Sequence, residues 1–177
     1  MVIGIGGVSR AGKTTLAHAI AERFGHEAKI LHQDDFIPPE EEIPQIQYQG
    51  VTKTDWECPA SLDFAAFEQA ILAAKAEHSV VLAEGLLVFW DPHIWRHFDY
   101  AIMLSVPKSV FWARKKLDMR WGEEPDWYIE HIWQSYLRYG QVPPHVHPLL
   151  RLSGRDPIDV NRVMDFLMEA PLSVGWR

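Results

Sequence analysis

The residue pattern specifies an α/β protein, a parallel sheet of about five strands with helices on both faces. Two observations carry that expectation. Short apolar runs alternate with stretches of helical spacing along nearly the whole chain. The runs at residues 2–8 and 80–83 are apolar throughout, as strands covered on both faces must be. Alternation of this kind needs right-handed crossovers, so the carboxyl ends of the strands gather at one edge of the sheet, where ligands collect.

Residues 2–8 read as the first strand, and Gly7-Val8-Ser9-Arg10-Ala11-Gly12-Lys13-Thr14 lies at its end. That is G-x-x-x-x-G-K-[ST] between a strand and a helix, the context that gives the motif meaning. Its glycines let the backbone curl with N–H groups pointing inward, around anionic oxygens. The helix beginning near Lys13 adds unpaired N–H groups and the positive end of its dipole. Lys13 is expected at the β- and γ-phosphates and Thr14 on Mg²⁺, with Thr15 completing the ATP-binding run. A mere glycine turn with a solvated lysine is the alternative, and the flanking strand and helix disfavour it. The expected architecture is therefore a P-loop NTPase fold holding a nucleotide triphosphate.

The first helix spans residues 13–24, and Gly25 is placed to end it. A short second strand over 29–32 runs into Gln33-Asp34-Asp35-Phe36. Residues 37–53 are rich in Pro, Glu and Gln without stable periodicity, and a long loop is expected there. Ser61 is expected to cap a helix over 62–77. The third strand, 80–83, ends in Glu84-Gly85. A helical turn over 90–97 and a fourth strand over 100–106 follow. Pro107 suits the first position of a helix carrying Arg114, Lys115, Lys116 and Arg120, which Gly122-Glu123-Glu124-Pro125 breaks. A helix over 126–139, a last strand over 149–152, a turn at Ser153-Gly154-Arg155 and a closing helix over 157–170 complete the chain.

At 177 residues, 47% hydrophobic and 23% charged, the chain fits one globular domain, residues 1–177. Its net charge of −7 argues against a general nucleic-acid surface. Cys58 is the single cysteine, which excludes internal disulfides and a Cys-based zinc site and suits a reducing cytosol. No signal peptide fits the first residues, and no apolar run is long enough to span a bilayer. The expectation is a cytoplasmic monomer acting on small molecules, with no membrane partner.

Three strand ends should converge on one crevice, delivering Lys13 and Thr14, then Asp34, then Glu84. Phosphoryl transfer needs a phosphate clamp, a metal, positive charge in flight and a carboxylate to take the acceptor hydroxyl's proton. Asp34 stands where that base belongs. Glu84 stands where an acidic strand end joins the magnesium shell, which Thr14 and Asp34 share. Such a carboxylate can also simply cap the next helix, and for Asp35 above all that alternative stays open. The basic stretch after the fourth strand suits a short lid over about residues 114–125 that excludes water and supplies positive charge. Arg114 and Arg120 are the expected phosphate contacts, with Lys116 facing solvent.

The chain holds eight tryptophans, of which Trp95, Trp112 and Trp133 stand in helical or buried contexts suited to packing. Trp56 differs, lying between Asp55 and Glu57 ahead of a helix. There a ring can stack a heterocycle while the acid accepts ribose hydroxyls, and a charged ring adds cation–π attraction. A hydrophobic plug on the loop is the plainer alternative. Trp121 is the candidate for the opposite face of the base. His93 with His97, and His145 with His147, lack a third ligand and read as ordinary turn and surface residues.

Together these segments resemble the uridine kinase-like group of P-loop kinases, most closely its nicotinamide riboside kinase branch. The resemblance rests on residues 7–17, Gln33-Asp34-Asp35-Phe36, Asp55-Trp56-Glu57-Cys58-Pro59, Glu84-Gly85-Leu86-Leu87, and Trp133 with Tyr136-Leu137-Arg138-Tyr139. It covers nearly the whole chain. It implies ATP- and Mg²⁺-dependent phosphorylation of the ribose 5′-hydroxyl of nicotinamide riboside to nicotinamide mononucleotide, a step of NAD salvage. By position, it makes Asp34 the catalytic base, Thr14 a magnesium ligand and Glu84 the acid near the metal. Trp56 and Glu57 become the pair that stacks nicotinamide and holds ribose, with Asp35 and Phe36 on the same acceptor side. Arg114 becomes an ATP-phosphate arginine, and Ser153, Gly154 and Arg155 the loop beside adenine.

Three departures accompany it. Glu57 stands where the family usually has aspartate. Arg114-Lys115 replaces paired arginines and so loses a bidentate donor. Residues 116–125 do not align cleanly, which leaves open whether Lys115 or Arg120 contacts ribose and whether Trp121 is the second stacking ring.

A uridine or cytidine kinase is the nearest alternative. A uracil ring wants directional amide-type partners, whereas this acceptor region offers aromatics and carboxylates. The resemblance also leads to the expectation that the chain lacks the extra hairpin of pyrimidine ribonucleoside kinases. A guanine-specific switch would need Asn-Lys-x-Asp, and Asn161, the only asparagine, is followed by Arg162. A silent nucleotide-binding module is at odds with intact Lys13, Thr14, Asp34 and Glu84.

Overall fold

The computed structural model of the chain describes residues 1–120 and 122–169. In order, the elements are β1 (Val2–Gly7), α1 (Lys13–Phe24), β2 (Ala28–His32), β3 (Gln45–Tyr48), β4 (Val51–Thr54) and α2 (Phe64–Glu77). Then come β5 (Val80–Gly85), α3 (Pro92–Trp95), β6 (Tyr100–Ser105), α4 (Lys108–Lys116), α5 (Asp126–Tyr139), β7 (Leu149–Ser153) and α6 (Val160–Glu169). Five parallel strands form the main sheet in the order β2-β5-β1-β6-β7.

This order places β1 at the centre, and every residue of β1 and β5 is buried. Both faces of the sheet are therefore covered, as their unbroken apolar runs require. After β1 the chain leaves toward β2 and β5; after β6 it leaves the other way, toward β7. The reversal makes the carboxyl ends of β1 and β6 the switch point of the sheet. Gly4 and Gly6 alternate with isoleucines along β1 because the Phe98 and Phe89 rings press close against its backbone. A Cβ at either position would overlap them.

The structure departs from the sequence reading at three places. Residues 37–53 are not one long loop, since β3 and β4 pair antiparallel from Gln45↔Thr54 to Tyr48↔Val51. Gln49 and Gly50 between them have φ of 47° and 81°, the paired positive values of a type I′ hairpin turn. One hairpin face, Gln45, Gln47, Thr52 and Thr54, is wholly polar, which hid the alternation. The other docks on α5. Tyr48 stacks on Trp127 with ring centres 5.2 Å apart, and the Lys53 ammonium sits 3.9 Å from the centre of the Tyr128 ring. The chain thus carries a hairpin, and its supposed absence no longer counts against a pyrimidine nucleoside kinase.

Ser61 does not cap α2. Asp63 does, accepting from the Ala66 N–H at 2.9 Å. Ser61 is buried one turn earlier, its hydroxyl 2.9 Å from the Trp56 carbonyl and 2.7 Å from the Cys58 carbonyl. Finally, α4 stops at Lys116, so Arg120 lies beyond it rather than on its face. Among the described residues no helix is long and apolar enough to cross a membrane.

Candidate active site

Parallel register brings three strand ends level, with Ile5 beside Glu84 and Glu84 beside His32. At this edge Thr14 Oγ1 donates to Glu84 Oε1 at 2.7 Å. His32 Nδ1 lies 2.8 Å from the same oxygen. Gly12 starts α1 at φ 98°, a left-handed conformation that a side chain would strain, and no side chain caps the helix. Its first-turn N–H groups are open to an anion. Arg10 also has positive φ, 64°, at the tip of the loop. Lys13 Nζ folds back to within 3.3 Å of the Val8 carbonyl, which also accepts from the Ala11 N–H at 3.1 Å.

Asp34 follows Gln33 in a single 3-10 turn at the end of β2. Gln33 is buried and its Oε1 accepts from the Leu87 N–H at 2.9 Å, tying this turn to the chain after β5. Asp34 is solvent-exposed by surface area, yet the protein atoms crowding its carboxyl raise its pKa, chiefly by desolvation, against the attraction of Lys13 and with repulsion from Glu84 and Asp35. A carboxylate pushed upward is a stronger proton acceptor. Asp35 is exposed. Phe36 packs on Phe67 with ring centres 5.0 Å apart, and its carbonyl accepts from the Asp63 N–H. Phe36 therefore anchors the turn to the start of α2.

On the other side of Asp34, Trp56 exposes 38% of its surface from a backbone pinned at both polar atoms. Its N–H donates to Tyr128 Oη at 3.3 Å, and its carbonyl accepts from Ser61. Tyr128 Oη in turn donates to the Thr54 carbonyl at 3.2 Å. Asp55 Oδ1 lies 2.7 Å from His131 Nε2 and accepts from the Glu57 N–H at 3.1 Å. An exposed ring on so constrained a backbone has the geometry to stack a flat ring. Burial pushes Glu57 up to about 7, with Lys115 opposing and Asp34 and Glu124 reinforcing the rise. Glu57, Asp34, Glu124 and Lys115 therefore share one field. Tyr128 and His131 were not among the sequence candidates; their spacing of three on α5, facing the Trp56 loop, was the available signal.

The residues expected to form a lid are more engaged than their sequence suggested. Lys115 is buried, its Nζ 3.1 Å from Glu124 and 4.0 Å from Asp118. Lys116 is ion-paired with Asp126 and not simply solvated. Arg120 grips Asp118 through Nε at 2.8 Å and Nη2 at 2.6 Å. Arg114 donates to three backbone carbonyls, those of Arg10 (3.1 Å), Gly154 (2.7 Å) and Arg155 (2.7 Å). It laces the phosphate loop to the turn after β7, where Gly154 is required because a Cβ there would overlap the Ala11 carbonyl. Ser153 Oγ accepts from the Arg155 N–H in the same turn. Beside it runs a shallow, mostly apolar cleft lined by Ala11, Gly12, Thr15, Gly154, Pro157 and Ile158, a surface suited to a flat heterocycle. Trp121 lies outside the described residues.

The candidates thus fall into three groups. Residues 7–15 gather with Asp34 and Glu84 at the carboxyl ends of β1, β2 and β5. Arg114 and residues 153–155 flank the cleft, and Glu57, next to Trp56, couples to both Lys115 and Asp34. The Thr14 hydroxyl in contact with Glu84 offers hard oxygen donors of the kind Mg²⁺ takes when phosphates complete its shell. Among the described residues no three of His, Cys, Asp or Glu form an all-protein metal cage, which a phosphate-bound Mg²⁺ does not need.

No family model matches the chain. Among curated proteins it is similar to nicotinamide riboside kinase of Eremothecium gossypii, 26% identical over 181 residues, covering 77% of this chain and 74% of that one. Nicotinamide riboside kinase 1 of Rattus norvegicus is 29% identical over 153 residues, covering 79% and 78%. A uridine kinase of Bacillus mycoides is 27% identical over 135 residues, covering 62% of each. Among solved structures, shikimate kinase from Bacteroides thetaiotaomicron superposes with a TM-score of 0.58 at 20% identity, covering 95% of this chain and 98% of that one. The chain has the fold of P-loop kinases, and its curated homologues are phosphotransferases acting on an alcohol.

Proposed function

We propose that this chain transfers the γ-phosphoryl group of ATP to the ribose 5′-hydroxyl of nicotinamide riboside, giving nicotinamide mononucleotide for NAD salvage. One observation carries the choice of acceptor. The exposed, backbone-pinned Trp56 indole adjoins Glu57, whose carboxyl shares one electrostatic field with Asp34, Glu124 and Lys115. A flat cationic ring on a ribose meets both demands, since the indole stacks it and the acids hold hydroxyls and offset its charge. The curated relatives in yeast and mammals support the same acceptor.

In this reading the loop amides of residues 7–14 and Lys13 hold the triphosphate, and the base lies in the cleft beside Ser153, Gly154 and Arg155. The 5′-hydroxyl gives its proton to Asp34 as its oxygen bonds to the γ-phosphorus. The bond to the bridging oxygen breaks, and ADP leaves with its new charge answered by Lys13 and the lid arginines. Thr14, Glu84 and Asp34 are the residues that would hold Mg²⁺, which when bound neutralises phosphate oxygens. Trp56 and Glu57 seat the acceptor, with Asp35 and Phe36 at the edge of that seat and Lys115 setting the charge of its floor. The reading includes action as a cytoplasmic monomer without a nucleic-acid partner.

Uridine or cytidine is the second acceptor to consider, favoured by the hairpin over residues 45–54 and by the uridine kinase relative. ADP release from ATP measured across a nucleoside panel separates the two. The expected result is the highest kcat/KM with nicotinamide riboside. A higher value with uridine or cytidine overturns that choice.

A further inference from the structure

Asp118 lies two residues past the end of α4, in no motif that the sequence singled out. Its side chain is only 2% exposed, yet three cations approach it. Arg120 grips both oxygens, Nε to Oδ1 at 2.8 Å and Nη2 to Oδ2 at 2.6 Å. Arg10 Nε stands 3.8 Å from Oδ2, and Lys115 Nζ 4.0 Å from it. These cations come from separate places: the tip of the phosphate loop, the last turn of α4 and the lid beyond it.

The balance of charge indicates what the cluster is for. Lys115 already has a closer carboxylate in Glu124, at 3.1 Å. That leaves the Arg10 and Arg120 guanidiniums sharing one carboxylate, a positive surplus beside the phosphate loop. The surplus is not needed to bury Asp118, since one two-point arginine would do. It suits a polyanion arriving at the loop. Among the described residues Arg120 is held only along its Nε–Nη2 edge, while its side chain stays 61% exposed. The opposite edge is free to donate, in a direction fixed by the two-point grip. Arg120 also feels the charge of Asp34, whose pull adds to that of Asp118 in stabilising the guanidinium.

We propose that Asp118 is the positioning residue of the lid: its buried carboxylate aims the free edge of Arg120 at the phosphoryl group in transfer and ties that arginine to Arg10. The proposal rests on phosphoryl transfer from a nucleotide triphosphate and not on which nucleoside accepts it.

The test measures kcat and the ATP KM for Asp118→Asn, Arg120→Lys, Arg120→Ala and the Asp118→Asn/Arg120→Ala double variant. Asp118→Asn is expected to lower kcat by about tenfold or more while moving the ATP KM much less. Arg120→Lys keeps the charge but loses the two-point grip, and should show the same split. In the Arg120→Ala background, removing Asp118 should cost no further kcat, because its effect passes through Arg120. Additive losses, or wild-type kcat in Arg120→Lys, overturn the proposal. Arg120→Lys alters an exposed side chain and so decides between the outcomes even if Asp118→Asn fails to fold. Should nicotinamide riboside prove the wrong acceptor, the same four variants are compared on the acceptor that wild type does use, or on its hydrolysis of ATP. The acceptor reading can then fail while this one stands.

Discussion

Thr14 Oγ1 donates to Glu84 Oε1 at 2.7 Å, joining the first turn of α1 to the end of β5 across 70 positions of chain. The donated proton fixes the hydroxyl so that its lone pairs turn away from Glu84. Glu84→Gln preserves shape but removes the charge that a divalent cation would meet. The half-saturating Mg²⁺ concentration for turnover is expected to rise by about tenfold or more, the scale seen when groups around a metal are neutralised. A Mg²⁺ titration that superposes on wild type would take Glu84 out of the metal's surroundings.

Asp34 is held at the end of β2 by buried Gln33 and sits in the field of Lys13 and Glu84. Asp34→Asn removes the proton acceptor and leaves the phosphate loop intact. Turnover should fall by roughly 10²- to 10⁴-fold with the ATP KM nearly unchanged, the range ascribed to a positioned general base. Retention of wild-type kcat would exclude Asp34 from that role.

These two carboxylates, the phosphate loop and the five-strand sheet were legible because each is a local pattern. An apolar run followed at once by a chemically useful residue locates itself on the sheet. The hairpin of β3 and β4 was hidden because one face carries only Gln and Thr and the other ends in Lys53. Lys116 was read as solvent-facing because a basic residue in a helix's last turn normally reaches water, and only the fold brings Asp126 to it, as it brings Glu124 and Asp118 to Lys115. Tyr128 and His131 lie more than 70 positions from the loop they support, a distance no spacing rule spans.

That support bears on the acceptor seat. Trp56→Ala removes the stacking face and should raise the acceptor KM about tenfold, leaving the ATP KM unchanged. Tyr128→Phe keeps the ring under Lys53 but loses the hydroxyl bridging the Trp56 N–H and the Thr54 carbonyl. It should move the same constant in the same direction by less, about threefold. Steady-state kinetics with each substrate varied in turn check both. Equal changes in the two KM values would move Trp56 out of the acceptor seat.

Gly154 tests the donor side. An added Cβ would overlap the Ala11 carbonyl oxygen, and neither backbone can yield without moving the phosphate loop or the turn after β7. Arg114 holds both. Gly154→Ala is expected to lower stability by about 1–3 kcal/mol, the scale of overpacking, and to weaken ATP binding. Chemical denaturation and ATP titration should both register it; wild-type values in both would mean that the two segments are freer than their contacts indicate.

Glu57 ties activity to pH. Its carboxyl titrates at about 7 instead of its ordinary 4.5. Below that point it is neutral and offers a cationic acceptor no charge; above it, the ionised group accepts ribose hydroxyls and attracts the ring. The kcat/KM for acceptor, which reports the free enzyme, should therefore rise through pH 7. Glu57→Gln should flatten that rise. Stability runs the other way. Between 4.5 and about 7 the folded protein keeps a proton on Glu57 that the unfolded chain has lost, so stability falls as pH rises through that window. The raised pKa of Asp34 adds a slope of the same sign. Urea unfolding near pH 4.5 and near pH 7, the two ends of that window, should show a smaller difference for Glu57→Gln than for wild type. A variant whose kcat/KM profile and unfolding midpoints both follow wild type would mean that Glu57 stays ionised throughout. Its burial beside Lys115 would then impose no protonation.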